Sequence, residues 1–152
     1  MSVPAEFVFE AAVKVDAPLI IGQSSHGLRR VIPILGGTVS GPRLTGTVIP
    51  GGADWQFIRP DGVLTLEARY TLKTEDGALI MATNRGMRHG PKDIIDKITR
   101  GEEVPADSYY FRTVAEFEAP LGGPYEWLNK ALFLGIAERK AGLAVVRFHL
   151  FR

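Results

Sequence analysis

Asp54 and Trp55 follow Pro50-Gly51-Gly52, a sharp bend where a carboxylate can be fixed while its neighbour packs against a ligand. A carboxyl partly withdrawn from water at the mouth of a cavity has its pKa raised toward the range where proton transfer is efficient, so Asp54 reads as a general acid or base. A turn-capping Asp beside a core Trp fits the same residues. Glu67 and Arg69 share one face of a strand, and a hairpin turning at Glu75 to Gly77 sets Arg85 opposite Glu67 as a cross-strand ion pair. On an outer face such a pair adds little; inside a lumen it marks a site.

Three cationic residues, Arg85, Arg88 and His89, lie in the stretch Asn84 to Gly90, read here as a loop ahead of a helix beginning at Pro91. Backbone N–H groups at a helix start attract negative charge, so this loop is a candidate for receiving a carboxylate or an enolate, against the plainer reading of a flexible basic loop. Tyr110 and Arg112 share a strand face with Val114 and Glu116, where an arginine beside an aromatic ring can orient a substrate oxygen. Tyr125, Trp127 and Asn129 occupy a glycine-bounded turn that either supplies an aromatic lid or plugs a core.

The expected catalytic set is therefore Asp54 as acid or base, Arg85 and Arg112 against developing negative charge, and Tyr70 or Tyr110 as hydrogen-bond donor. Trp55 and Trp127 are expected to pack on the substrate. Glu67, Asn84, His89, Asn129 and His26 complete the expected binding residues. No metal is expected, because His26, His89 and His149 are far apart with no pair at ligand spacing; His149, in an apolar terminal strand, reads as a core histidine. No serine sits in a nucleophile elbow, and phosphate-loop and dinucleotide patterns are missing, so no cofactor is expected either.

The elements that must position these residues are strands. Seventeen glycines and ten prolines punctuate short runs rich in β-branched and aromatic residues. Phe7 to Val15 alternates, with Phe7, Phe9, Ala11, Val13 and Val15 on one face. Leu28 to Ser40 is extended, its Pro33 and Gly36-Gly37 implying an edge or a bulge. Leu44 to Phe57 turns a corner at Pro50-Gly51-Gly52. Val63 to Lys73 sets Leu64, Leu66, Ala68, Tyr70 and Leu72 on one side, and Ala78 to Arg85 returns. One helix is expected over about residues 91–100, with Ile94, Ile95 and Ile98 buried and Asp93 paired with Lys97. Tyr109 to Ala119, Ala131 to Arg139 and Leu143 to Phe151 finish the chain.

About eight or nine strands joined by short turns imply a mainly all-β fold, a closed antiparallel up-and-down barrel, with a β-sandwich as the alternative. At 152 residues the chain forms one domain over 1–152. No apolar run approaches the ~20 residues of a membrane helix, and Glu6, Glu10 and Lys14 interrupt the N-terminal hydrophobic residues, so a cytoplasmic protein without a membrane partner is expected. No cysteine is present, which removes disulfides and thiolate chemistry. A net charge of +1 with mixed signs leaves no footprint for nucleic acid.

Five motifs carry a resemblance over nearly the whole chain: GGTVSGPRLTGTVIPGGADWQ, RPDGVLTLEARYTLKTEDGALI, NRGMRHGP, YYFRT and YEWLN. In this order they closely resemble the bacterial and fungal family called domain of unknown function 3237, the UPF 0311 proteins. The resemblance implies a small antiparallel β-barrel that tends to form a homo-oligomer, a dimer or tetramer, and it hints at aromatic or natural-product metabolism. The function expected from the residues is a cofactor-independent isomerase or lyase acting on a small aromatic or carbonyl-bearing molecule inside the barrel. A carrier of a small hydrophobic ligand and a scaffolding subunit with a solid interior are the alternatives.

Overall fold

A computed structural model describes residues 2–152. Nine antiparallel strands form the molecule: β1 (Ala5–Val15), β2 (Leu19–Ser24), β3 (Gly27–Ser40), β4 (Gly46–Ile58), β5 (Leu64–Thr74), β6 (Leu79–His89), β7 (Tyr110–Glu118), β8 (Leu132–Lys140) and β9 (Leu143–Phe151). Consecutive neighbours pair from β2 through β9, β9 pairs with β1, and β1 pairs back onto β3. Eight strands therefore close a barrel. The extra strand β2 pairs with the start of β3, from Gly27 to Val31, while β1 pairs with its later part, from Ile34 to Ser40.

The alternation of residue types dictates which side chains enter. Along β5 the buried positions are Leu64, Leu66, Ala68, Tyr70, Leu72 and Thr74, and along β7 Phe111, Thr113, Ala115 and Phe117, because successive residues of a strand point to opposite faces. In β1 the expected face holds at Phe9, Ala11 and Val13 and is lost only at Phe7. A bulge between Phe7 and Phe9 buries both Val8 and Phe9 and turns Phe7 outward. Pro33 lies at a bulge between Pro33 and Gly37 rather than on an edge strand, and the corner at Pro50-Gly51-Gly52 is a second bulge, between Ile49 and Ala53.

Two ends of the barrel are closed differently. At one end Phe9, Phe117, Phe133 and Phe148 form a cluster with ring centroids 5.0–5.3 Å apart. A single 3₁₀ turn, Glu126–Lys130, packs onto it through buried Leu128 and Trp127. The other end carries α1 (Lys92–Thr99), between β6 and β7, with Ile98 buried and Ile94 and Ile95 partly so. Pro91 stands just before the first turn of α1, and the ion pair on this helix is Lys92–Asp96 at 2.7 Å, not Asp93–Lys97. A β-carbon placed on Gly101 would lie 3.8 Å from the Ala141 Cβ in the β8–β9 turn, so the helix reaches across this end.

Strand β6 runs on to His89, which corrects the loop expected over Asn84 to Gly90. The ladder to β7 is regular from Met81↔Glu118 to His89↔Tyr110. Parity along β6 sends Asn84 and Arg88 into the barrel and Arg85 out of it.

Candidate functional site

Inside the helix end of the barrel a cavity of about 40 Å³ is lined by Asp54, Tyr70, Asn84 and Thr113, with aliphatic carbon from Val13, Ile34, Leu66 and Val146 around them. Four buried oxygens have no hydrogen-bond partner among the described residues: Asp54 Oδ1, Tyr70 Oη, Asn84 Oδ1 and Thr113 Oγ1. All four residues belong to this one cavity. Tyr70, Asn84 and Thr113 are 3–4% exposed, so their unpaired groups carry a desolvation cost that a structure bears where a ligand, or water, supplies the missing bonds.

Each residue arrives from a different strand, at an inward-facing position of that strand. Asp54 comes from β4, Tyr70 from β5, Asn84 from β6 and Thr113 from β7. Thr113 fits because its cross-strand neighbours are Gly86 and Gly135. A β-carbon at Gly135 would lie 1.9 Å from Thr113 Oγ1, and one at Gly86 2.7 Å from Thr113 Cγ2.

Above the cavity a polar chain runs toward the helix. Gln56 Nε2 donates to Asp54 Oδ2 at 2.7 Å, and Arg30 Nε donates to Gln56 Oε1 at 2.7 Å. Burial pushes the Asp54 carboxyl up to about 6, against the lowering influence of the Gln56 hydrogen bond and of Arg88, Arg30 and Arg139. Residue 54 as a whole is only partly buried; the surroundings of its shielded Oδ1 set the titration. Burial, with the nearby Asp54 charge, raises Tyr70 far above the ordinary phenol value and keeps it a proton donor at neutral pH. Arg88 is lowered to about 10, by burial and by repulsion from Arg30 and Arg139.

The residues selected from sequence converge at two places. Asp54, Tyr70 and Asn84 meet in the lumen. Trp55, Glu67, Arg85, Tyr110, Arg112 and His26 meet outside it, in an open surface groove of about 730 Å³ on the β4–β7 wall. The groove is the larger concavity, but its charged groups are solvated: Arg85 Nε donates to Glu67 Oε1 at 2.6 Å with both side chains exposed. Arg85, Arg112 and Tyr110 therefore do not share a space with Asp54, because odd positions of β6 and even positions of β7 face outward. His89 stacks on Tyr110 at 4.9 Å on the same outer wall. His149 is likewise on an outer face, 5.6 Å from Phe7, rather than in the core. Trp127 and Asn129 lie at the phenylalanine-filled end. There Arg43 sits over the Trp127 ring at 3.9 Å, and Asn129 clamps Ala119 by accepting from its N–H at 2.9 Å and donating to its carbonyl at 3.0 Å.

Sequence reasoning passed over Arg30, Gln56, Thr113 and Arg139, and took Arg88 for a loop cation. For Thr113, between Phe111 and Ala115, and for Arg139, two beyond Ala137, the signal was parity, a polar residue in phase with buried apolar ones; Gln56 gave none, because Trp55 and Phe57 beside it put apolar residues on the outward phase.

Fold and lumen define a small eight-stranded barrel, filled at one end, with a buried carboxyl at the other. The chain belongs to the family described as "Protein of unknown function (DUF3237)", whose profile matches residues 4–152. A UPF0311 protein of Rhodopseudomonas palustris is 42% identical over 145 residues, covering 95% of this chain and 94% of the relative. A UPF0311 protein of Clostridium acetobutylicum is 40% identical, with 95% and 91% covered. The crystal structure of a conserved protein of unknown function from R. palustris superposes with a TM-score of 0.92 at 40% identity, covering 100% of this chain and 99% of that one. A more distant relative, 28% identical over 130 residues and covering 86% of this chain and 71% of its own, is a hydroalkoxylation enzyme of Penicillium herquei.

Proposed function

We propose that the barrel is a cofactor-independent acid–base enzyme in which Asp54 moves a proton on a small aromatic or carbonyl-bearing metabolite whose oxygen-bearing end enters the lumen. One observation carries this reading: the Asp54 carboxyl shares a cavity with three other unpaired polar groups, from Tyr70, Asn84 and Thr113. A carrier of apolar ligands has no use for four such groups.

The step is a balanced proton transfer. Ionised Asp54 takes a proton from the carbon beside a carbonyl, and the electron pair of the broken C–H bond moves onto the carbonyl oxygen as an enolate. Hydroxyl donors from Tyr70 and Thr113 stabilise that oxygen. The protonated carboxyl then returns the proton at the same carbon or a neighbouring one. A carboxyl titrating near 6 suits both halves of this cycle at neutral pH. Hydroalkoxylation, the activity in the name of the fungal relative, adds an O–H across a carbon–carbon double bond, the oxygen bonding to one carbon and the proton to the other, a redox-neutral step in which an acid–base group can move the proton.

The test is carbon-bound hydrogen exchange in D₂O, followed by NMR on phenylpyruvate and on the neutral ketone 4-phenylbutan-2-one. The protein is expected to accelerate exchange beside the carbonyl, and Asp54→Asn to slow it by about 10²-fold or more. Equal exchange by Asp54→Asn and the unaltered protein overturns the assignment.

A further inference from the structure

Proton transfer at Asp54 leaves three arginines of the lumen unexplained. Arg30 on β3, Arg88 on β6 and Arg139 on β8 stand at the helix end of the barrel, brought together from strands far apart in sequence. Asp54 is the carboxylate that acts on all three. None of them forms an ion pair among the described residues. Arg30 spends its Nε on Gln56, and Arg139 spends one Nη1 on the carbonyls of Lys140 and Leu143, at 2.6 and 2.9 Å. Arg88, 6% exposed, makes no side-chain hydrogen bond among the described residues; its guanidinium carbon lies 5.8 Å from the centre of the Phe111 ring.

Three guanidiniums against one carboxylate leave a surplus of positive charge at this end, with Arg88 buried and Arg30 and Arg139 partly so. Charge buried in this way is expensive unless an opposite charge joins it. An arginine also offers five N–H donors in a planar fork that matches the oxygens of a carboxylate or phosphate. Exposed arginines elsewhere in this protein find carboxylates readily, as Arg43 and Arg152 do on Glu6. The lumen arginines outnumber theirs.

We propose that Arg30, Arg88 and Arg139 form an anion subsite that receives an oxyanion, a carboxylate or a phosphate, carried by the small organic substrate while its carbonyl or hydroxyl end reaches Asp54. This rests on the lumen being the substrate site and narrows the substrate class to small organic acids. The anion sits at the helix end, the reacting carbon lies below it, and the substrate oxygen lies deepest, among Tyr70, Asn84 and Thr113.

Titration calorimetry at pH 7.5 and low ionic strength, with benzoate, phenyl phosphate and neutral benzamide as probes, tests the subsite without turnover. At least one anion is expected to bind 10-fold or more tightly than benzamide; whichever anion binds better identifies the group. Arg88→Met and Arg139→Gln are expected to abolish that preference, and Arg147→Ala, on the outer wall beside Glu10, to keep it. Asp54→Asn is expected to bind the anion several-fold more tightly, because a competing negative charge is gone, an increase that general damage to the lumen would not produce. If Arg88→Met fails to fold, Arg30→Gln carries the same comparison. Benzamide binding as tightly as both anions, or a preference surviving in Arg88→Met and Arg139→Gln together, overturns the proposal. An intact anion preference with exchange indifferent to Asp54→Asn overturns the acid–base reading alone; loss of the preference with Asp54-dependent exchange on 4-phenylbutan-2-one overturns the subsite alone.

Discussion

The filled end of the barrel and its helix end are built on the same eight strands and the same alternation, yet they obey opposite rules. At the filled end Phe9, Phe133 and Phe148 are all but inaccessible to water, and four rings meet edge to face or tilted. Among the described residues no buried polar side chain is left unpaired there, and the amide of Asn129 satisfies both backbone groups of Ala119. At the helix end the inward positions of the same strands carry Asp54, Asn84, Arg88, Thr113 and Arg139, and four polar atoms have no partner among the described residues. The first arrangement gains stability from burial of apolar surface. The second gives some of it away. A fold that stores its stability at one end can carry an unfavourable site at the other, which is where recognition and chemistry are expected.

Substitutions can break or sharpen that contrast. The largest effect is expected at the filled end, where Phe148→Ala removes a fully buried ring and should cost about 3–5 kcal/mol in urea unfolding, without altering the pH dependence of whatever activity survives. A loss below about 1 kcal/mol would mean that the stability of the barrel is not stored at its filled end.

At the helix end the sign reverses. The Asp54 carboxyl is raised from an ordinary 3.8 to about 6 in the folded protein, so between these values the folded state binds more protons than the unfolded one. Stability is therefore expected to fall as pH rises from about 4 to about 6, and the cost persists above that range. A rise of this size corresponds to about 3 kcal/mol at most, less for the portion of residue 54 still in contact with water. Asp54→Asn should accordingly stabilise the protein at pH 8 by up to that amount and show no gain at pH 4. A destabilised variant at pH 8 would show that the carboxylate holds the three arginines together more than its burial costs.

Thr113→Val replaces an unpaired hydroxyl by a methyl group of the same shape and is expected to be neutral or to stabilise by up to about 1 kcal/mol, measured by chemical denaturation. On the outer wall Glu67→Gln breaks an exposed ion pair with Arg85, and no measurable change in the unfolding midpoint is expected. A clear loss there would give the outer groove a structural importance that its solvation does not suggest.

Much of this was written in the order of residues. The period-two runs specified the strands, and Val63 to Lys73 announced its inward face residue by residue because three leucines and a tyrosine share one phase. Pro-Asp-Gly and Glu-Asp-Gly placed two turns, and Glu67 opposite Arg85 followed from the second of them. Asp54 stood out through its glycine bend. Less legible were positions where one residue changes the phase: the bulge between Phe7 and Phe9 turned Phe7 off the inward face that Phe9, Ala11 and Val13 keep, and reading Asn84 to Gly90 as a loop discarded the parity that separates inward Arg88 from outward Arg85.

Alone, the sequence determined which segments are strands, where most of them turn, and which phase of each is apolar, since those properties reside in neighbouring side chains and local backbone preference. Only closure of the sheet, β1 returning to β3, decided that polar residues from six different strands face one another at one end while phenylalanines fill the other. Distance across a barrel depends on register and bulges summed around its whole circumference, and no local stretch of chain contains that sum.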